Sequence, residues 1–401
     1  MNQFIEKNKM KVFVVFNLLL TIGMNLGHPV TPSLLKSLDL GPHVFGISFA
    51  AMSATNFFFA LIWSNLANGL KKTRILMISS IGYGLAQILF AYAPNELTIY
   101  LARFLAGAFA GGFQVGLMTY IINEAKVEEQ SRYITISSII ISVGAALGFF
   151  IGGKIGDISI YLTFFTQMTL HIVMGLLFYF VLGRYENIEE EFELSMLKSS
   201  NPFKVLHSSS EYFLGFTKYL FLSILVSSIA VTLYDQSFNY YIKDIFDFPP
   251  SVNGNIKAIV GLFAVGLNLI VIWRKKQKGM GTEAKLLPFV ILAMGLIAVF
   301  AKGIEISDVF LKTSLVWFGL NTVMIPLQQN LVMTYKTDQK SGNQLTGLYN
   351  ALLMLGKILG ALITSFVYSK NPSSSFLVSG ILLMIAFLLL LIQKLKKSSN
   401  N

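Results

Sequence analysis

The chain has no cysteine, which rules out a disulfide framework, a zinc–thiolate site and a cysteine nucleophile. It is also poor in charge. Asp, Glu, Lys and Arg make up 13% of its 401 residues, where soluble domains carry about 25%. So little charge cannot cover a water-exposed globule of this size, and a hydrophobic content of 54% does not fit a disordered chain. Acid is the scarcer sign: 20 Asp and Glu stand against 31 Lys and Arg, for a formal net charge of +11. That excess does not point to nucleic acid, because the basic residues stand in small groups between long apolar runs. The sequence carries no Walker loop, metal-ligating cluster or nucleophile triad. Neither enzymatic activity nor a resident cofactor is therefore expected, and ATP has no site from which to drive this chain directly.

What the chain has is apolar length. A membrane-spanning helix needs about 20 mainly apolar residues. Twelve such runs are read at 11–34, 43–66, 74–93, 97–121, 133–156, 160–183, 213–240, 252–273, 286–302, 306–334, 343–368 and 375–393. The first is too long for a removed signal peptide and lacks a small-x-small cleavage site. An even count puts both termini on one side of the membrane. When the loops are grouped alternately, 22 of the 31 Lys and Arg fall on the side of the termini, six fall on the other, and Arg103, Lys257 and Lys357 lie within or at the edge of spans. Cytoplasmic loops carry the excess of Lys and Arg, so both termini are expected in the cytoplasm. The fold class expected is an all-α membrane protein of twelve transmembrane helices.

The longest polar stretch, Arg184–Tyr212, holds an acidic run (Glu186, Glu189, Glu190, Glu191, Glu193) and a serine-rich part. It reads as a solvated cytoplasmic linker, 184–212, between a six-helix bundle at 1–183 and another at 213–401. The halves look like a diverged repeat. Gly144-x3-Gly148 in span 5 has a counterpart 212 residues on, Gly356-x3-Gly360 in span 11, and the basic loop 71–74 has one at 274–278. Two homologous bundles related by a pseudo-twofold axis are an architecture of secondary transporters.

Polar groups at membrane depth are costly and usually face a bundle interior or a wet cavity. Four spans carry polar stripes at helical spacing. Span 1 has Thr21, Asn25, His28 and Pro32; span 4 has Arg103, Gly107, Gln114 and Met118. Span 7 has Ser228, Thr232, Asp235 and Asn239; span 10 has Trp317, Asn321, Met324 and Gln328. Span 11 adds Asn350 and Lys357. Recurrence every third span is expected where each half sends one helix per three-helix unit to a shared cavity. The cavity candidates are thus Asn25, Gln114, Met118, Thr232, Asn239, Trp317, Asn321, Met324, Gln328 and Asn350. For any one of them, interhelical hydrogen bonding is the plainer reading.

Four ionisable residues are candidates for proton coupling. Asp235 is the carboxylate well inside an apolar run; it either exchanges a proton or pairs with Lys257 or Lys357. Lys357, in the middle of span 11, calls for a partner or water, with Asp235 and Asn350 as candidates. Arg103 either binds backbone or faces the cavity. His28, beside Pro29, either bonds the backbone that proline frees or relays a proton. The glycines of span 5 (Gly144, Gly148, Gly152 and Gly153) permit close helix approach, static or rocking.

These residues resemble the major facilitator superfamily, particularly its twelve-span drug/proton antiporters. The outer end of span 1, Gly27-His28-Pro29-Val30-Thr31-Pro32, is similar to the family's Gly and paired prolines. The loop between spans 2 and 3 in that family reads G-x-L-a-D-r-x-G-r-[KR]. Here it is Ser64-Asn65-Leu66-Ala67-Asn68-Gly69-Leu70-Lys71-Lys72-Thr73, followed by Arg74; Leu66, Ala67 and Lys72 match, and Asn68 stands where the family has a charged latch. Arg103-x3-Gly107 keeps the span-4 signature, whose Arg the family implicates in proton coupling. Gly144-x3-Gly148-Phe149-x2-Gly152-Gly153 is similar to the span-5 antiporter signature, with Phe149 in place of its Pro. The resemblance implies conformational roles for Asn68, Lys72, Arg74, Gly144, Gly148, Gly152 and Gly153.

The expected function is proton-coupled efflux of small amphipathic or hydrophobic compounds by alternating access, with the proton gradient as energy source. The expected partners are the small-molecule substrate and the lipid bilayer, with no nucleic acid, and the working unit is a monomer in a plasma membrane, with a bacterial one the better fit. The alternatives are an importer or facilitator of a sugar or organic ion, a lipid flippase, and a transport-incompetent sensor.

Overall fold

The computed structural model describes residues 2–186, 191, 193–197, 212, 214, 215, 217–275, 283–337 and 339–399. Its long elements are helices: α1 (Asn2–Lys7), α2 (Lys9–Leu26), α3 (Thr31–Ser37), α4 (Pro42–Gly69), α5 (Lys72–Ala91), α6 (Glu96–Glu124), α7 (Val127–Ile158) and α8 (Ile160–Leu177), then α9 (Thr217–Asp244), α10 (Pro250–Lys275), α11 (Glu283–Ala301), α12 (Ser307–Met333), α13 (Gln339–Lys370) and α14 (Ser374–Ser399). Among the described residues there is no strand. Among the described residues ten segments are long and apolar enough to cross a membrane, and Leu286–Ala301 within α11 is a shorter apolar helix. With the 26-residue α10, they fill the twelve expected places.

Local chemistry sets the helix ends. Asn95 caps α6 by accepting the Thr98 N–H at 3.0 Å, and Ser159 caps α8 by accepting that of Leu162 at 3.3 Å, each satisfying an orphan donor of a first turn. The first span is broken. Pro29 and Pro32 remove backbone donors, and the chain turns at Gly27–Val30 before α3 restarts at Thr31. Thr31 ties the break by donating its hydroxyl to the Gly27 carbonyl at 2.8 Å.

The chain forms two compact units. One is Met1–Leu40, Ala51–Asn201 and Phe248–Leu262; the other is Gly41–Ala50, Pro202–Asp247 and Phe263–Asn401. The beginning of α4 thus belongs to the second unit and the beginning of α10 to the first. In the first unit α2 packs on α7 and α8, and α5 on α6 and α8. Its core holds Phe13 stacked on Tyr120, with centroids 4.7 Å apart.

The second unit repeats that pairing helix for helix: α9 on α13 and α14, and α11 on α12 and α14. Its core is an aromatic stack, with Tyr234 lying on Trp317 at 3.8 Å and 11°. The glycine pairs make the repeat concrete. A Cβ on Gly148 would meet the Ile22 carbonyl oxygen at 2.5 Å and Asn25 Cβ at 2.7 Å; one on Gly360 would meet the Ile229 carbonyl oxygen at 2.6 Å and Thr232 Cβ at 2.8 Å. Both bundles seat span 5 or 11 directly on the backbone of span 1 or 7, which a side chain would forbid.

Candidate functional site

In the first unit Arg103 is buried. Its guanidinium donates to Thr31 Oγ1 at 3.3 Å and Gln87 Oε1 at 3.4 Å, and lies 3.5 Å above the centre of the Phe90 ring. The arginine therefore joins α6 to the restart of the first span and to α5. About three and four turns along α6, Gln114 and Met118 are exposed, whereas Gly107 is covered by Met52 and Thr55 of α4. The span-4 stripe is thus split, its first half packed and its second half open. Asn25 is half-buried and donates to the Thr21 carbonyl at 2.8 Å. His28 is half-buried and stacks on Phe149, centroids 5.5 Å apart.

In the second unit the α9 stripe also divides. Ser228 donates to the Leu353 carbonyl at 3.0 Å, and Thr232 is buried against Gly360, so two of its members hold α9 to α13. The other two form a polar pair: Asn239 Nδ2 donates to Asp235 Oδ2 at 3.3 Å, and Gln236 Nε2 donates to the same oxygen at 3.5 Å. The carboxylate of Asp235 reaches Lys357 electrostatically. On α13, Lys357 and Asn350 are both exposed, and their seven-residue spacing keeps them on one face.

The α12 stripe turns inward. Trp317, Met324 and Gln328 are buried. The Trp317 indole donates to the Met294 carbonyl at 3.1 Å, and Gln328 donates to Ser227 Oγ at 2.8 Å. Asn321 is half-buried, and its Oδ1 is enclosed with no hydrogen-bond partner among the described residues. The structure thus pairs Asp235 with Asn239, leaves Lys357 to interact with that carboxylate electrostatically, and commits Trp317, Met324 and Gln328 to the core.

The residues expected to move lie as follows. Asn68 is exposed, Arg74 half-buried and Lys72 buried. Gly144, Gly148 and Gly152 face Thr21, Ile22 and Leu26 of α2, and Gly153 faces Pro250 and Ser251 of α10.

Several contributors carried no sequence signal. Glu186, read as part of a solvated acidic run, is 3% exposed. Its carboxylate accepts the Lys72 N–H at 2.5 Å, the Thr73 N–H at 3.1 Å and the Thr73 hydroxyl at 2.7 Å. It caps α5 and fastens the start of the linker to the basic loop, a carboxylate at a helix N-terminus where the dipole favours it. His171 on α8 is fully buried, between Tyr83 at 4.8 Å and Phe113 at 5.8 Å. Asp157 at the end of α7 accepts the Ser251 N–H at 2.9 Å.

The profile of the Major Facilitator Superfamily matches residues 13–344. The chain is 22% identical over 394 residues to Multidrug resistance protein 2 of Bacillus subtilis, covering 96% of this chain and 94% of that one. It is 23% identical to the class H Tetracycline resistance protein of Pasteurella multocida, covering 90% and 89%. Among solved structures it resembles the nucleoside transporter NupG with a TM-score of 0.73 at 12% identity, covering 96% of this chain and 98% of that one.

Proposed function

The chain belongs to the major facilitator superfamily, a family of transporters, and from that premise we propose that it exports small amphipathic or hydrophobic compounds against an inward proton gradient. The observation that carries this reading is the near-full-length similarity to two proteins named for multidrug and tetracycline resistance. The retained Arg103-x3-Gly107 and Gly144-x3-Gly148-x3-Gly152-Gly153 patterns favour it, and so does a second unit that places one carboxylate, Asp235, within electrostatic reach of one exposed lysine, Lys357.

In this reading the bundles at 1–183 and 213–401 alternate access about the membrane midplane, joined by the cytoplasmic linker 184–212. Asn25, Gln114, Met118, Asn239, Asn321 and Asn350 line the substrate's path. Asp235 exchanges the proton, with Lys357 as its charge partner; Arg103 and His28 tune the first bundle. No cofactor is needed, because the proton gradient supplies the energy. The protein works as a monomer in a bacterial plasma membrane, with both termini in the cytoplasm.

Reconstitution tests the reading. Protein in liposomes with an imposed pH gradient should move a resistance-type substrate against its own gradient. Flux indifferent to the pH gradient rejects the coupling.

A further inference from the structure

Lys357 lies well inside α13 (Gln339–Lys370), eighteen residues from its start and thirteen from its end. That is near the middle of a helix crossing a hydrocarbon core about 30 Å thick, so either interface is about 10 Å away or more, beyond what a lysine side chain can reach by snorkelling. The residue is nonetheless exposed. An ammonium at that depth turned to lipid is too costly to keep, so its face of α13 meets water or a ligand. Its neighbours Gly356 and Gly360 are buried against Ser228, Ile229 and Thr232 of α9, which fixes the rotation of the helix.

Asp235 does not neutralise this lysine by contact. Its Oδ2 is taken by the amides of Asn239 and Gln236, and among the described residues the Lys357 ammonium enters no ion pair or hydrogen bond. An ammonium carries three donors and no acceptor. Two turns earlier on the same face, about 10 Å along the axis, the exposed Asn350 offers amide donors, with Leu353 and Met354 half-buried between them.

A cation, an apolar step and an amide along one helix face match an amphiphile with an acidic head. We propose that Lys357 forms the head-group subsite of the transport path, with Leu353, Met354 and Asn350 continuing the same face along the rest of the ligand, and that it takes carboxylate-bearing amphiphiles. This rests on the export reading above and names its substrate class. An inside-negative membrane potential drives an anion outward and a proton inward, so both legs of the exchange run down the field.

Three pyrene probes of one size separate the possibilities: pyrenebutyrate, its methyl ester and the matching trimethylammonium cation. Each is titrated by fluorescence into the full chain in lipid nanodiscs, with empty discs subtracted. The acid should bind about tenfold or more tighter than the cation, as charge-assisted hydrogen bonds require. Lys357→Gln should remove that preference and leave ester binding unchanged, and Lys357→Arg should keep it. A cation that binds wild-type protein as tightly as the acid overturns the proposal and needs no variant to do so. So does an acid preference that survives Lys357→Gln. In liposomes, selective acid binding without movement under a pH gradient fails the export reading alone, whereas gradient-driven movement of cation or ester in preference to acid fails the subsite alone.

Discussion

Asp157, in the last turn of α7, accepts the backbone N–H of Ser251 in the first turn of α10 across 94 positions of sequence, at 2.9 Å. Beside it Gly153 and Gly156 lie directly on Pro250. The carboxylate therefore caps one helix with the end of another, and joins the two where small residues let them touch. Asp157→Ala should cost about 1 kcal/mol at this joint and raise amide exchange at the start of α10 about fivefold. Asp157→Asn should stay near wild type, because Asn caps as well as Asp. Equal exchange in all three proteins would show that the contact holds nothing.

The paired glycines make a symmetric prediction. A Cβ added at Gly148 or at Gly360 would come nearly as close to the carbonyl of the helix it faces, 2.5 Å from Ile22 in one bundle and 2.6 Å from Ile229 in the other. Gly148→Leu and Gly360→Leu should each push two helices apart, with a cost of about 1–3 kcal/mol for overpacking. Thermal unfolding of the purified variants reads the loss. The two should fall together, and a large drop in one with none in the other would break the equivalence of the bundles.

The glycine pairs and the twelve apolar runs were legible in the sequence because both are local: span length, loop charge and a three-residue gap need no knowledge of neighbours. The partners were not. A helical period says which residues share a face, but not which helix that face meets. Trp317 fits a polar stripe, yet its indole N–H finds the Met294 carbonyl and its ring finds Tyr234. Arg103 was legible as an unusual charge, but Thr31 and Gln87, 72 and 16 positions away, become its acceptors only once the first span breaks and α5 packs. Glu186 looked like one more solvated acid, because the donors that bury it lie 113 and 114 positions upstream.

That buried carboxylate tests whether the linker is a passive tether. Glu186→Ala leaves two first-turn N–H groups of α5 and a threonine hydroxyl without their acceptor, at about 1–3 kcal/mol for the unpaired donors. The variant should unfold at lower temperature, and its linker should be cut faster by protease near Glu191, whose N–H bonds the Gly69 carbonyl at 3.0 Å. Unchanged cleavage would mean that the segment is held by other contacts.

Arg103 separates charge from shape. Lysine keeps the charge but not the flat guanidinium that covers Phe90 while reaching Gln87 and Thr31. Arg103→Lys should therefore lose about 1–2 kcal/mol of stacking, seen as a lower unfolding temperature. If the arginine also serves proton coupling, the loss of gradient-driven flux should exceed the loss of folded protein.

The sharpest division concerns Asp235. Asparagine has nearly the same size and keeps an oxygen for the Asn239 amide that now bonds Oδ2 at 3.3 Å, but it has no proton to exchange and no charge to set against Lys357. Asp235→Asn should accordingly reach the membrane and unfold at the wild-type temperature, while its substrate flux stops responding to an imposed pH gradient. Downhill exchange of substrate should continue, since the path itself is intact. A merely structural carboxylate would give the opposite pattern, with lower stability and unaltered dependence on the gradient. Wild-type pH dependence in this variant would remove Asp235 from the coupling mechanism and shift attention to His28 and Arg103 in the first bundle.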